Sequence, residues 1–233
     1  MYNNFLIIIP TYNECENINS LINILDNHGF HMVIVDDNSP DKTFDIVKNH
    51  NKFGANLFGI LRTSNKGYGN SVKDGFNFVL ENNYEYAVQM DSDFSHRVED
   101  LLQMCSLAKN YDLVIGSRYV EGGKIEGWSL YRKFLSKYAN IFARFATKSD
   151  IYDLTTGFRI YSKNLIENIE FSNITSNGYS FLVEIISKIS TKDYKIVEFP
   201  IVFVDRERGK SKMGLKIIFE SFINLIKIRS KRN

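Results

Sequence analysis

Short apolar runs at residues 5–9, 32–35, 57–61, 86–90 and 113–115 alternate with amphipathic stretches through the first half of the chain. Residues 13–26 carry Ile18, Leu21, Ile22 and Leu25 at helical spacing, 68–80 carry Val72, Phe76 and Val79, and 98–108 carry Leu101, Leu102, Cys105 and Ala108. Side chains so spaced share one helix face, whereas short unbroken apolar runs read as strands buried on both sides. The alternation predicts an α/β fold, a Rossmann-like, mostly parallel sheet with helices on both faces. The second half reads as more helical. Residues 1–214 are expected to form one domain, followed by an amphipathic helix with a basic tail over 215–233.

Ligands on such sheets bind beyond the carboxyl ends of the strands. Every notable polar cluster falls there: Pro10-Thr11-Tyr12-Asn13-Glu14, Asp36-Asp37-Asn38-Ser39-Pro40-Asp41, 62–69, Asp91-Ser92-Asp93 and Gly116-Ser117-Arg118-Tyr119 follow the five runs in turn. The opposite edge is bland, with Glu81-Asn82-Asn83 and Lys109-Asn110.

Asp91 and Asp93 are the strongest pair. Two carboxylates this close repel unless a cation compensates them, and an oxygen-only set completed by phosphate and water suits Mg²⁺ or Mn²⁺. Ser95 or His96 would complete the shell, His96 fitting better as a supporting residue than as a ligand. The cluster after the first strand reads as a strand-to-helix turn with Asn13 as N-cap. Asp41 with Thr43 suits the start of a helix, which leaves Asp36 and Asp37 as candidates for reading a nucleotide base. Lys66, beside the glycines Gly67 and Gly69 ahead of a helix, suits phosphate.

Lys and Arg number 29 against 27 Asp and Glu, a formal charge of +2. This balance argues against a dedicated nucleic-acid binder. Cys15 and Cys105 match no disulfide or metal-ligand spacing, which favours packing roles in a reducing compartment. No signal peptide is expected at the N-terminus, and no apolar stretch approaches the roughly 20 residues needed to cross a bilayer. Residues 128–148 are aromatic and basic at once, interleaving Trp128, Tyr131, Phe134, Leu135, Tyr138, Ile141, Phe142 and Phe145 with Arg132, Lys133, Lys137, Arg144 and Lys148. Such a helix either packs on the sheet, the commoner outcome, or lies on a membrane surface.

Joined to Gly122-Gly123, Gly127-Trp128, Arg132, Asp153-Leu154-Thr155-Thr156-Gly157-Phe158-Arg159 and Arg206-Glu207-Arg208-Gly209-Lys210-Ser211-Lys212, these clusters resemble the polyprenyl-phosphate sugar synthases of the inverting family 2 glycosyltransferases. The motifs run in the family's order from Pro10 to about Lys212. The resemblance implies a GT-A fold and transfer of a hexose, usually mannose from GDP-mannose, to the phosphate of dolichol or another polyprenol. It implies nucleoside contacts from Pro10, Tyr12, Glu14 and Asp36 or Asp37, and a metal and diphosphate site at Asp91, Ser92 and Asp93. Arg118, Arg132, Arg206 and Lys212 would surround the donor and acceptor phosphates, with Asp93, Arg118 and Arg132 carrying the catalysis. It further implies a peripheral protein on the cytosolic face of a membrane, the endoplasmic reticulum if eukaryotic, aided by small membrane-anchoring subunits. A family member using a UDP-sugar, or an inactive binding subunit, are the alternatives. This chain has Ser92 where the family usually has alanine, Arg97 where proline is common, and Tyr68 where leucine is usual between the glycines.

Overall fold

The structure is a computed structural model that describes residues 2–206 apart from 175, 177 and 191. Lys212, the boundary at 214 and the helix expected over 215–233 lie outside the described residues. In chain order come β1 (Phe5–Thr11), α1 (Ile18–Asn27), β2 (His31–Asp36), α2 (Thr43–Lys48), β3 (Leu57–Leu61), α3 (Tyr68–Glu81), β4 (Tyr86–Gln89), α4 (Val98–Ala108) and β5 (Leu113–Ser117). Then follow β6 (Lys124–Glu126), α5 (Leu130–Thr147), β7 (Arg159–Ser162), α6 (Lys163–Glu167), a 3₁₀ turn (Phe171–Asn173), α7 (Tyr179–Ile189), β8 (Ile196–Pro200) and β9 (Val202–Val204).

The main sheet has the order β3-β2-β1-β4-β7-β5-β8, and every pairing in it is parallel except those of β7. Strand alternation sends Leu6 and Ile8 into one core with Val72, Phe76 and Phe181, and Phe5, Ile7 and Ile9 into a second core with Ile18, Leu21, Leu101 and Met104. Helices α3 and α7 therefore cover one face and α1 and α4 the other, which is why the strand sequences are apolar at consecutive positions.

The second half is more helical, with α5, α6 and α7, but it also carries strands that the sequence reading did not place. It contributes β7 and β8 to the main sheet, and a small two-stranded sheet of β6 and β9. Because β7 is antiparallel, it begins where its neighbours end: Arg159 pairs with Gln89 of β4 and Ile115 of β5. The segment leading into it, 153–158, is thereby delivered to the carboxyl edge. The β6 and β9 pairing does the same for the chain after Val204, where the Asp205 N–H donates to the Glu126 carbonyl at 3.0 Å.

Helix α1 starts at Ile18 rather than near Asn13, which sits at φ 57° in a loop. Three backbone N–H groups of that loop are held by side chains after β2: Asn13 by Ser39 Oγ at 3.0 Å, Glu14 by Thr43 Oγ1 at 2.9 Å and Cys15 by Asp41 Oδ2 at 3.0 Å. This lacing competes with helix formation and delays it.

Helix α3 lies close on β1. A Cβ on Gly75 would fall 2.3 Å from Ile8 Cγ2 in the core. Alanine favours a helix by up to about 1 kcal/mol over glycine, but overpacking a core costs about 1–3 kcal/mol or more. Gly75→Ala is therefore expected to lower stability to urea, by up to about 2 kcal/mol once the full helix gain is set against the overpacking cost; a raised urea midpoint would contradict the packing described.

Candidate active site

β1 leads to β2 on one side, while β4 lies on its other side, so the sheet order reverses between β1 and β4. Loops leaving two such strands diverge and open a crevice. Pro10 lies near the end of β1, Tyr12 and Glu14 follow it, and Asp91, Ser92 and Asp93 follow β4. Tyr12 is exposed, and Pro10 is half-buried within the strand. Glu14 is buried, accepts from Asn17 Nδ2 at 3.0 Å and adds its negative charge to the surroundings of Asp91.

Asp36 and Asp37 are both engaged in holding loops. Asp36 is fully buried and accepts from Thr11 Oγ1 at 2.8 Å, Ser39 N at 2.8 Å and Ser39 Oγ at 2.6 Å. Asp37 accepts from Arg62 Nη1 at 2.7 Å, Gly67 N at 2.7 Å and Ser71 Oγ at 3.1 Å. Its bond to Gly67 fixes the glycine turn ahead of α3, beside exposed Lys66. Arg62 also donates to Asp74 at 2.6 Å and to the Asn65 carbonyl at 2.6 Å, tying the loop after β3 together.

The Asp91 side chain is about one-third exposed, while that of Asp93 is nearly buried. Ser95 donates its hydroxyl to Asp93 Oδ1 at 2.6 Å and its N–H to the same atom at 3.2 Å. It is fully buried. Ser95, expected among the metal ligands, here gives both its hydroxyl and its N–H to the Asp93 carboxylate. The other oxygen, Asp93 Oδ2, faces Arg206 Nη2 at 3.2 Å. The Asp91 N–H donates to His96 Nδ1 at 3.1 Å, so the imidazole proton belongs on Nε2, 4.0 Å from Asp91 Oδ2. His96 stacks on Phe158 with ring centroids 4.5 Å apart, and burial pushes its pKa down to about 4, as suits a neutral supporting residue.

Burial, and after it the charge of Asp93, push the Asp91 carboxyl up to about 7. The donor set fits a hard divalent cation: two oxygen ligands carry excess negative charge, and at least one opens to the cleft. Among the described residues no cluster of three His, Cys, Asp or Glu groups converges, so phosphate and water would have to complete a shell around Asp91 and Asp93.

Arg118, expected to meet phosphate, is clamped by a partner whose role sequence reasoning missed. Its Nε and Nη2 donate to the two oxygens of Asp153, each at 2.7 Å, and its backbone N–H donates to Oδ2 at 3.0 Å. Burial would raise the Asp153 pKa, but Arg118 more than offsets it and holds the carboxylate charged. The guanidinium also lies within 5.6 Å of the ring centroids of Tyr119, Trp128 and Phe203. Arg132 stacks 3.9 Å over Trp128 and donates to Asp205 at 2.8 Å. Asp205 Oδ1 also accepts the Arg206 N–H at 3.1 Å. The Arg132–Asp205 and Arg206–Asp93 ion pairs are thus joined through the backbone N–H of Arg206. Asp205 carried no motif signal beyond its place next to Arg206.

A groove of about 500 Å³ opens beside Arg118, between β6 and the start of α5. Cationic Lys124, Lys133 and Lys137 line it with apolar Ile125, Leu130 and Phe134. Helix α5 turns only Asn140, Ala143, Ala146 and Thr147 fully inward. Leu130, Tyr131, Phe134, Tyr138, Ile141 and Phe145 stay exposed, from 50 to 85%.

A profile of the Glycosyl transferase family 2 matches residues 6–170. The chain is 36% identical to the polyprenol monophosphomannose synthase of Mycolicibacterium smegmatis, over 94% of this chain and 84% of that protein. It is 39% identical to the dolichol-phosphate mannosyltransferase of Pyrococcus furiosus, over 92% of this chain but only 60% of the longer relative. Among solved structures, a mannosyltransferase from Pyrobaculum calidifontis in complex with GDP-Man and Mn²⁺ shares the fold with a TM-score of 0.63 at 17% identity, over 100% of this chain and 65% of that one. The reversal between β1 and β4, the carboxylate pair set at it and these likenesses agree, and the chain belongs to glycosyl transferase family 2.

Proposed function

We propose that this enzyme transfers mannose from GDP-mannose to the phosphate of a polyprenol, with inversion at the anomeric carbon. The observation that carries the reading is the groove beside Arg118, basic and apolar at once, running into the exposed face of α5. A phosphate on an isoprenoid chain has the matching chemistry: a doubly anionic head and a long apolar tail. The curated relatives are named for this transfer.

A lipid phosphate is anionic near neutral pH and needs little help from a general base. The protein's work is then placement and charge. Asp91 and Asp93 would hold a divalent cation, Mg²⁺ or Mn²⁺, which when bound neutralises the diphosphate leaving group. Glu14 and exposed Tyr12 flank the nucleoside side of the crevice, with Asp36 and Asp37 keeping its loops in register. Arg132 and Arg206 lie on the acceptor side, where guanidinium forks hold phosphate for in-line attack. Arg118 acts from behind, fixing the 153–158 segment through Asp153.

Leu130, Phe134, Tyr138, Ile141 and Phe145 recur along one face of α5, with Lys133, Lys137 and Arg144 around them. That combination suits the headgroup layer of an anionic bilayer, where an insoluble tail must be met. Among the described residues no helix is long and apolar enough to cross a membrane.

With a short polyprenyl phosphate and added Mn²⁺ or Mg²⁺, labelled GDP-mannose is expected to yield an organic-extractable mannolipid, and UDP-glucose much less. Preferential transfer from UDP-glucose would overturn the donor assignment. Loss of a charge contact to the transition state costs about 3 kcal/mol, roughly two decades in rate, so Asp93→Ala should lose at least that much turnover with its circular dichroism spectrum unchanged; near-normal turnover would remove Asp93 from the site. Phe134→Glu with Phe145→Glu should release the protein from sedimenting phosphatidylglycerol vesicles. Sedimentation equal to wild type would mean that another surface makes the contact.

A further inference from the structure

Behind the carboxylate pair lies a buried polar chain that its chemistry alone does not demand. Tyr161 of β7, fully buried, donates its hydroxyl to Gln89 Oε1 at 3.0 Å. Gln89, the last residue of β4 and also fully buried, donates from Nε2 to the Tyr68 hydroxyl at 2.7 Å. Tyr68, the first residue of α3, donates in turn to Asp91 Oδ1 at 3.3 Å. Each link in this order joins a donor to an acceptor. A reversed Gln89 amide would instead take the Tyr68 proton and leave a hydroxyl lone pair facing the Asp91 carboxylate, so the carboxylate selects the observed direction.

Room for the contact comes from Gly157, in the segment delivered by β7. A Cβ there would lie 2.3 Å from the Tyr68 hydroxyl and 3.4 Å from Asp91 Oδ1. Gly157 is thus the position at which a side chain would push Tyr68 off Asp91.

From this geometry we infer that Tyr68 is a positioning residue for Asp91: it fixes one carboxylate oxygen, Oδ1, and so sets the direction of the other. Gln89 and Tyr161 hold Tyr68 in turn. Asp91 is then oriented from two sides, by Tyr68 at its carboxylate and by His96 at its backbone N–H. Bonds of this kind raise affinity by removing the freedom a ligand group would otherwise lose on binding. The inference rests on the reading of Asp91 and Asp93 as the cation site.

Mn²⁺ alone, titrated into the protein and followed by loss of the free-ion electron paramagnetic resonance signal, tests it without turnover. Removing a supporting hydrogen bond typically costs about 10-fold or more in metal affinity, so Tyr68→Phe should raise the Mn²⁺ Kd by about that factor while the ring keeps its packing. Tyr161→Phe should raise Kd less, and the double variant should be no worse than Tyr68→Phe alone, because members of one chain are not additive. Tyr84→Phe removes a buried hydroxyl bonded to His31 instead and should leave Kd unchanged. Equal Mn²⁺ affinity in wild type and Tyr68→Phe overturns the role of Tyr68 and leaves the cation site standing, as would a loss in Tyr84→Phe as large as that in Tyr68→Phe. A wild-type protein that binds no Mn²⁺, with Asp93→Ala indistinguishable from it, overturns both. If Tyr68→Phe does not fold, Tyr161→Phe decides, since an unchanged Kd there breaks the chain at its far end.

Discussion

The mutual repulsion of Asp91 and Asp93 is the constraint around which the rest of the site is organised. Asp91 and Asp93, separated by one residue, are drawn partly out of water and oppose one another; burial first and the neighbouring charge second push the Asp91 carboxyl up to about 7. A fold keeps such an arrangement only when its geometry is held from outside. Ser95 grips one oxygen of Asp93 and Arg206 faces the other, while Tyr68 and His96 grip Asp91. These supports come from α3, the loop after β4 and the chain after β9, so the pair is where separate parts of the chain converge.

Sheet topology makes the convergence possible. The parallel strands bring their carboxyl ends to one edge, and the reversal between β1 and β4 opens the crevice. A further parallel strand in place of β7 would have carried residues 153–158 to the far edge. Entering antiparallel, β7 brings Asp153 to Arg118, Gly157 to Tyr68 and Phe158 to His96. The doubly bonded, fully buried Asp153 and Arg118 pair then locks that segment to the end of β5. Removing one partner of such a pair commonly costs about 3–5 kcal/mol, so the Arg118–Asp153 contact is a structural support of that edge.

Much of this was legible in the sequence for a simple reason: strands buried on both faces must be apolar at consecutive positions, and the polar residues that follow them must lie at one edge. The five strands of the first half, the helices between them and the residues of the crevice follow from that pattern. What escaped it were short elements with mixed composition. β7 is four residues long and includes the buried Arg159, whose charge hides a strand that lies between two others. β8 lies at the sheet edge, half-buried throughout, and its apolar run is broken by Glu198 and ends on Pro200. The start of α1 was misplaced because the donors of Asn13, Glu14 and Cys15 are spent on side chains 26 to 29 residues away, a long-range preference that local spacing cannot carry. In α5 the alternation of aromatic and basic residues left packing and exposure open; its inward face turned out to be small residues, Ala143 and Ala146, with Asn140 bonded to the Leu154 N–H.

The chemistry of the site turns on where a divalent cation binds. A crystal of the protein soaked with Mn²⁺ and GDP, with data collected at the manganese absorption edge, locates the ion by its anomalous signal. A single strong peak within coordination distance of the Asp91 and Asp93 carboxylates, bridged to the diphosphate, is the result predicted. A manganese peak elsewhere, with GDP bound and those carboxylates left to Arg206 alone, would contradict it.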